Sequence, residues 1–200
     1  ECTPEATKQI FETHIQNLID NAFLSSSSSM KAITVLCLGG NKGLLKLIAE
    51  RLMSEDGASV RVAAIEVTGE KIKDLLNPRS DSTLRVMADG HVGHKSDSTI
   101  FSGPCKDLDS LTAILAKCKR SQLSHSVFTL KVSKGNQDVA IIQVSDMIPA
   151  MRVMVDGNSS QTPTAAQRTR VNADLSALSM VLEGVAGGRG FVSYRNTAFT

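Results

Sequence analysis

The sequence lacks long apolar runs, and its opposite charges nearly cancel. No segment approaches the roughly 20 consecutive apolar residues that span a bilayer, and no signal peptide opens the chain. Lys and Arg number 22 against 20 Asp and Glu, which leaves a formal charge of +2. An anionic partner must therefore meet a local basic patch, because no overall field attracts it. We expect a soluble, cytoplasmic protein that binds neither membrane nor nucleic acid.

Cysteine is sparse, and its spacing does not indicate a metal centre. The four cysteines lie far apart and form no C-x-x-C pair; they are Cys2, Cys37, Cys105 and Cys118. Two of them stand within apolar patterns, where a reduced thiol behaves as a small buried hydrophobe. His91 and His94 share a polar loop, but no third ligand is near them in the sequence. The sequence thus predicts buried thiols and no metal site.

The sequence does contain helical and strand patterns in alternation, enough for one α/β domain. Its 200 residues are 42% hydrophobic and 21% charged, as in a globular domain with a core. The predicted helices are residues 2–24, 44–57, 69–78, 107–119 and 168–186. The predicted strands are residues 32–38, 59–69 and 82–90, and a hairpin spans 125–146 around a Gly135–Asn136 turn. Helices among strands that include an antiparallel pair predict a layered fold with a mixed sheet.

Several details of these elements can be predicted. Thr3 should cap the first helix, with Pro4 at its first position, and Asp107 should cap the fourth. Residues 32–38 form a continuous apolar run, which is typical of a strand buried on both faces, and the stretch 89–106 is expected to be a long loop. The buried faces of two helices follow from apolar spacing. They are Phe11, Ile15, Leu18, Ile19 and Ala22 in the first, and Val171, Leu175, Leu178, Leu182 and Val185 in the last.

The stretch LCLGGNKGLLKL, residues 36–47, outlines a strand, a glycine-rich loop and a helix. That arrangement cradles ATP in P-loop NTPases, where backbone amides and a Lys hold the phosphates and a Ser or Thr hydroxyl holds magnesium. The Lys-Ser/Thr pair that should close the loop is missing. The alternatives are a nucleotide site, the remains of one, or an ordinary strand-to-helix turn.

Five segments, in order, resemble the kinesin motor domain. Residues 4–40 are similar to the helix, loop and strand that precede its phosphate loop. IEVTGEKIKDLLNP (65–78) resembles E-[IV]-Y-N-E-x-I-x-D-L-L, and SQLSHSVFTLKV (121–132) resembles the end of switch I, S-S-R-S-H-x-[VI]-F-x-[LI]. VNADLSALSMVL (171–182) resembles I-N-x-S-L-x-[AN]-L-x-x-V-I, the helix that lies on the microtubule. VSYRNTAFT (192–200) resembles V-P-Y-R-[ND]-S-x-L-T. The resemblance implies a kinesin-like fold related to P-loop NTPases, with a central mixed β-sheet flanked by helices.

A complete kinesin motor domain is longer than this chain. We therefore expect residues 1–200 to form a single incomplete motor-like domain, without the family's first strand and its C-terminal strand and helix.

Compared with the family's G-x-x-x-x-G-K-[ST], the phosphate loop is degenerate. With Gly39 as the first glycine, Leu44 stands at the second glycine, Leu45 at the Lys and Lys46 at the hydroxyl. A leucine cannot neutralise phosphate, and Lys46 has no hydroxyl for magnesium. The residues that could still contribute to an anion site, if the register slips by one position, are Gly39, Gly40, Lys42, Gly43 and Lys46.

The switch segments also lack groups that the family uses to bind and hydrolyse nucleotide. Ser121, Ser124 and His125 match switch I, but Leu123 stands where its Arg would be. DMIPAM (146–151) is similar to the switch II motif D-L-x-G-x-E; it retains Asp146 and places Met151 at the glutamate. Pro149 replaces the glycine whose amide would meet the γ-phosphate, and proline has no N–H to donate. These switch residues are therefore vestiges.

Loss of these groups together predicts an inactive site. Each transition-state interaction removed would cost on the order of 3–4 kcal/mol if it resembles an oxyanion donor. We expect no useful ATPase and no cofactor, with Mg-ATP or Mg-ADP bound only if the degenerate loop still holds phosphate.

The surface that faces tubulin in this family spans residues 156–194 and carries a modest positive excess. Its acids are Asp156, Asp174 and Glu183, and the basic candidates for microtubule contact are Arg168, Arg170, Arg189 and Arg195. Tubulin is acidic, so the excess is compatible with docking, although a solvated helix face has the same composition.

Three hypotheses from different classes follow. The first, which we prefer, is an inactive kinesin-like module that binds microtubules, in a stable assembly such as the axoneme of a cilium or flagellum, or as partner of an active kinesin. The second is an ATP-driven motor in which Lys42 or Lys46 serves the phosphates. The third is a protein-interaction scaffold that binds neither nucleotide nor tubulin.

The apolar pair Leu123 and Met151 gives a first prediction. If the two side chains meet where the family has its switch I–switch II salt bridge, a charge at either position is buried against an apolar neighbour. Met151→Glu should therefore lower the melting temperature in a thermal-shift assay. An unchanged melting temperature would contradict the contact.

Overall fold

The computed structural model describes residues 3–24, 30–38, 42–68, 71–78, 84–86, 92–94, 100–119, 124–149 and 164–188. The helices are α1 (Pro4–Ile10), α2 (Gln16–Leu24), α3 (Lys42–Met53), α4 (Leu108–Lys117) and α5 (Ala165–Ala186), and a π-helical turn (Phe11–Ile15) joins the first two. The strands are β1 (Lys31–Leu38), β2 (Ala58–Thr68), β3 (Lys71–Asp74), β4 (Leu84–Val86), β5 (Val92–His94), β6 (His125–Lys134) and β7 (Gln137–Met147). Among these described residues, no helix is both long and apolar enough to cross a bilayer.

Five strands form one mixed sheet in the order β1-β7-β6-β2-β3. β1 runs parallel to β7, and the other neighbours are antiparallel. β4 and β5 form a separate antiparallel pair. The predicted mixed sheet with flanking helices is confirmed.

The β6–β7 hairpin is confirmed at its predicted turn. Lys134 pairs with Gln137, so Gly135 and Asn136 make the whole connection. Gly135 has φ 61°, a left-handed conformation that glycine adopts without the steric cost of a Cβ.

The face of the sheet covered by the π-helical turn and α2–α4 carries the main core. Val62, Leu130 and Ile142 lie side by side across β2, β6 and β7 and are fully buried. Successive side chains of a strand alternate between faces, so each strand contributes every second residue to this core. The helices cover it with Ile19, Ile48, Leu52 and Leu111, all fully buried.

The caps of the first and fourth helices are confirmed. The Thr3 side chain accepts a hydrogen bond from the amide of Ala6, and the Asp107 carboxylate accepts one from the amide of Ser110 at 2.7 Å. That amide and the Ser110 hydroxyl hold the pKa of Asp107 below its usual value. The buried positions of the first helix are as predicted except Leu18, which is half exposed.

The helix predicted at residues 69–78 is wrong. Residues 71–74 form β3, with Val67 opposite Ile72 and Ile65 opposite Asp74. Ile72 packs on the small apolar cluster of Ile65, Val67 and Leu84, so β3 has the two-residue period of a strand. The Asp74 carboxylate then accepts hydrogen bonds from the amides of Leu76 and Asn77, which closes a turn where a helix would have continued.

Two further predictions are corrected by strand pairing. The stretch 89–106, predicted as a loop, contains β5, and its end hydrogen-bonds to β2 through the pair Val60 and Cys105. β1 is not buried on both faces. Among the described strands it is one of the two edge strands of the sheet, and Leu36 and Leu38 are 39% and 67% exposed while Ile33 is buried.

The buried line of α5 also differs from the predicted one. Leu182 and Val185 are 47% and 56% exposed, and Leu175 and Leu178 are half-buried. The line that is buried consists of Val171, Asp174, Ala177, Val181 and Gly184. The helix is rotated relative to its leucines because Asp174 faces the sheet.

Arg51 connects α2 to the end of α3. Its Nε donates to Asp20 Oδ1 and its Nη2 to Glu55 Oε1, both at 2.7 Å, and its guanidinium lies 5.9 Å from the ring centroid of Phe23. The three charged side chains are 20–29% exposed. Charge-assisted hydrogen bonds of this kind are stronger than ordinary surface ion pairs.

Arg51→Met should therefore lower the free energy of unfolding by about 1–3 kcal/mol, because two partly buried carboxylates lose their donor. Urea denaturation measures this. Lys46→Met is the matched control, since Lys46 and Glu50 form an exposed pair on the same helix at 3.7 Å, and its change should stay within about 0.5 kcal/mol. Equal losses in the two variants would refute the assignment.

Candidate functional site

One edge of the sheet brings the sequence-predicted segments together. Because β1 and β7 are parallel, both end there, with Cys37 opposite Asp146 and Leu38 opposite Met147. β6 begins at the same edge, since it is antiparallel to β7, and its Ser126 lies opposite Asp146. We call this the switch edge: the ends of β1 and β7 and the start of β6. Open α/β sheets bind ligands at the carboxyl ends of such parallel strands.

The glycine-rich loop is described only from α3 onward. Gly39 and Gly40 lie outside the described residues, and so does the side chain of Lys42, whose backbone opens α3. Gly43 lies in the first helical turn, where an added Cβ would come 3.4 Å from Thr7 Cγ2 of α1. The start of α3 is thus packed against α1.

The first turn of α3 directs leucines inward. Leu44 and Leu45, which match the family's second glycine and Lys, are both buried in the main core. Lys46, which matches the hydroxyl position, is 70% exposed, with its Nζ 3.7 Å from Glu50 Oε1. Of the side chains described in this turn, none combines a charge or hydroxyl with an inward direction.

Two of the sequence-predicted switch residues are buried at the switch edge, His125 and Asp146, and Ser124 directly precedes β6. Pro149 follows the end of β7 and is exposed. Burial, and then the charge of Asp146, raise the pKa of the Cys37 thiol, so this cysteine is a protonated thiol at neutral pH. Ser121, Leu123 and Met151 lie outside the described residues.

Ser124 holds a carboxylate that the sequence analysis did not single out. Ser124 is fully buried, and its Oγ donates to Oε1 of buried Glu66 on β2 at 2.5 Å. Lys73 Nζ lies 4.0 Å from the other carboxylate oxygen. The signal in the sequence was a single charge inside the apolar run VAAIEV, because an isolated carboxylate among core residues needs hydrogen-bond donors.

His125 connects three elements. It is 1% exposed, and its Nδ1 accepts a hydrogen bond from the backbone N–H of Ile148 at 3.2 Å, just beyond β7. An imidazole that accepts at Nδ1 is neutral and carries its proton on Nε2. That Nε2 lies 3.8 Å from Oδ2 of Asp174 on α5, which is longer than a hydrogen bond and close enough for an attraction between the N–H dipole and the carboxylate.

The sequence analysis placed Asp174 among the acids of the tubulin-facing surface. That prediction is wrong, because Asp174 is only 2% exposed. The sequence signal for this burial was the spacing of Asp174. It lies three residues after Val171 and three before Ala177, which places all three on one helical line.

The structure describes two of the four arginines that were predicted to contact microtubules. Arg168 and Arg170 lie in the first two turns of α5, half-buried and exposed respectively. The helix begins with a capping box in which Thr164 and Gln167 bond reciprocally. Arg189 and Arg195 lie outside the described residues, as does the pair His91 and His94 apart from the backbone of His94. No group of three or more potential metal ligands occurs among the residues the structure describes.

The arrangement is that of a known class of fold. A solved structure of a fast kinesin, reported with implications for its ATPase mechanism and its interactions with microtubules, superposes with a TM-score of 0.69 at 17% identity. The match covers 96% of this chain and 64% of that one. The fold is that of a kinesin motor domain.

Sequence relatives agree with the fold. A kinesin heavy chain of Syncephalastrum racemosum is 25% identical over 98% of this chain, and the kinesin-like protein KIF13B of Homo sapiens is 24% identical over 96%. A kinesin heavy chain of Gibberella moniliformis is 26% identical over 80%. The chain spans 24%, 13% and 19% of these relatives' lengths. No family model matches the chain. The resemblance to the kinesin motor domain family is confirmed.

The Ser124–Glu66 pair gives a prediction about the site's stability. Ser124→Ala removes a donor from a buried carboxylate and should lower the free energy of unfolding by about 2 kcal/mol, measured by urea denaturation.

Ser133→Ala is the matched control, on the strand β6 that begins directly after Ser124. Ser133 Oγ donates to Asp138 Oδ1 at 2.7 Å, but that carboxylate is 41% exposed and is also bound by Lys131 at 2.7 Å. Water can replace the lost hydroxyl there, so the loss should stay below about 1 kcal/mol. A loss for Ser124→Ala no larger than the control's would show that burial of Glu66 does not matter.

Proposed function

We propose that this chain is a kinesin-like microtubule-binding module whose nucleotide site has degenerated, so that it docks without hydrolysing ATP. The observation that carries the proposal is the burial of Leu44 and Leu45 at the start of α3. A phosphate-binding Lys at position 45 would have to leave the helix face on which Leu45 now packs. Catalysis of phosphoryl transfer depends on positioned cations of this kind, since the protein supplies little covalent chemistry.

Two further groups support the loss of hydrolysis. Lys46 faces solvent and pairs with Glu50, one turn along α3, so it is directed away from the core side of the helix. Pro149 offers no N–H for a γ-phosphate. Magnesium nucleotide is accordingly not expected as a resident cofactor. At the switch edge, Ser124 donates to Glu66, and His125 accepts from the Ile148 N–H.

The exposed charge of α5 supports docking on an acidic surface. With Asp174 buried, the charged side chains left on the described helix are Arg168 and Arg170 against Glu183. The exposed helix is therefore more basic than its composition indicates. Tubulin is acidic, and complementary charge accelerates and strengthens association.

A module that does not cycle with ATP suits a stationary role. We place it on cytoplasmic microtubules, in a stable assembly such as an axoneme or beside an active kinesin. Each of these settings needs persistent binding and no turnover.

Microtubule co-sedimentation with and without Mg-ATP, combined with binding of a fluorescent ADP analogue, tests the proposal. We expect sedimentation that ATP does not change and no nucleotide binding. ATP-sensitive release would indicate instead a motor with a displaced lysine, and failure to sediment would indicate a scaffold without tubulin contact.

The same assay locates the docking surface. Arg170→Glu should weaken microtubule binding about tenfold, because it reverses a charge on the exposed helix. Lys119→Glu is the control, with an equal change of charge at an exposed position just beyond α4, on the other face of the sheet. Equal weakening in both variants would indicate a nonspecific charge effect.

A further inference from the structure

We infer that Ile148, His125 and Asp174 form a buried latch that fixes α5 against the switch edge through the chain's own side chains, without a bound nucleotide. The latch joins the two ends of the β6–β7 hairpin to α5, which follows it in the sequence. This inference concerns how α5 is held and does not depend on tubulin binding.

The first step is the state of the imidazole. Because Nδ1 accepts the Ile148 N–H, the ring is neutral and presents Nε2–H toward Asp174. The backbone at the end of β7 therefore sets which nitrogen carries the proton. If Ile148 moved away, that constraint on the ring would be lost, so the contact to α5 depends on the position of β7's end.

The second step is the environment of the carboxylate. Asp174 is 2% exposed, and a buried carboxylate is tolerated only when nearby polar groups compensate for its lost hydration. His125, which is itself 1% exposed, is a group from another element that faces it at close range. The two side chains are thus buried facing each other.

The third step is how little else on α5 packs inward. The other members of its buried line are small or short: Val171, Ala177, Val181 and Gly184. The leucines lie beside this line or outward: Leu175 and Leu178 are half-buried, and Leu182 is 47% exposed. A polar contact therefore has more weight here than in the main core under the π-helical turn and α2–α4, where large aliphatic side chains interlock.

Hydrogen–deuterium exchange of the α5 amides, followed in the protein alone, tests the latch. We expect His125→Leu and Asp174→Leu each to accelerate exchange in residues 171–186 at least tenfold, because each leaves one polar partner facing an apolar one. The double variant should exchange no faster than the slower of the two single variants, because it replaces the pair with two apolar side chains. Glu183→Leu, an exposed site on the same helix, should change exchange less than twofold.

Three results would overturn the inference. They are wild-type exchange of α5 in either single variant, acceleration in the double variant equal to the product of the two singles, and equal acceleration in Glu183→Leu. Exchange in β6 and β7 separates release of α5 from global unfolding. Should both single variants fail to fold, recovery of folding in the double variant supports the latch, and failure to recover contradicts it. No tubulin is present, so the outcome is independent of the proposed docking function.

Discussion

The parallel pairing of β1 with β7 is the constraint on which the arrangement of the site depends. It places Leu38 beside Met147, so the chain leaves both strands at the same edge of the sheet. The β6–β7 hairpin then returns the start of β6 to that edge, because antiparallel neighbours run in opposite directions. Segments that are about a hundred residues apart in the sequence become neighbours for this reason alone. A slip of one residue in β7 would exchange the faces of Asp146 and Met147 and remove the site.

The switch edge lies beside a helix start whose leucines pack inward, and its own buried side chains are polar. Ser124 bonds to Glu66, and His125 lies between Ile148 and Asp174, so these buried groups are directed at one another. The first turn of α3 has meanwhile become part of the hydrophobic core. A site for a charged ligand needs polar side chains that face the ligand, and burial of those side chains without the ligand is costly. Internal pairing lowers that cost.

The position of α5 follows from the same logic. Its buried line contains a carboxylate and small residues, and its leucines lie to the side or outward. In the proposed latch, the contact between Asp174 and His125 helps to orient the helix, and the burial of Asp174 removes an acid from the exposed surface. Asp174 thus faces His125 and not the solvent, and the charged side chains left toward solvent on the described helix are exposed Arg170 and Glu183 and half-buried Arg168.

The sequence by itself determined what depends on neighbouring residues: the caps at Thr3 and Asp107, the Gly135 turn, the order of the segments and their resemblance to a motor domain. Tertiary structure decided what depends on distant partners. Residues 71–74 became β3 because β2 offered an unpaired edge, although their leucine-rich continuation is typical of a helix. The direction of Asp174 required knowing that His125 lies opposite, since a helix has several possible inner faces until a sheet selects one.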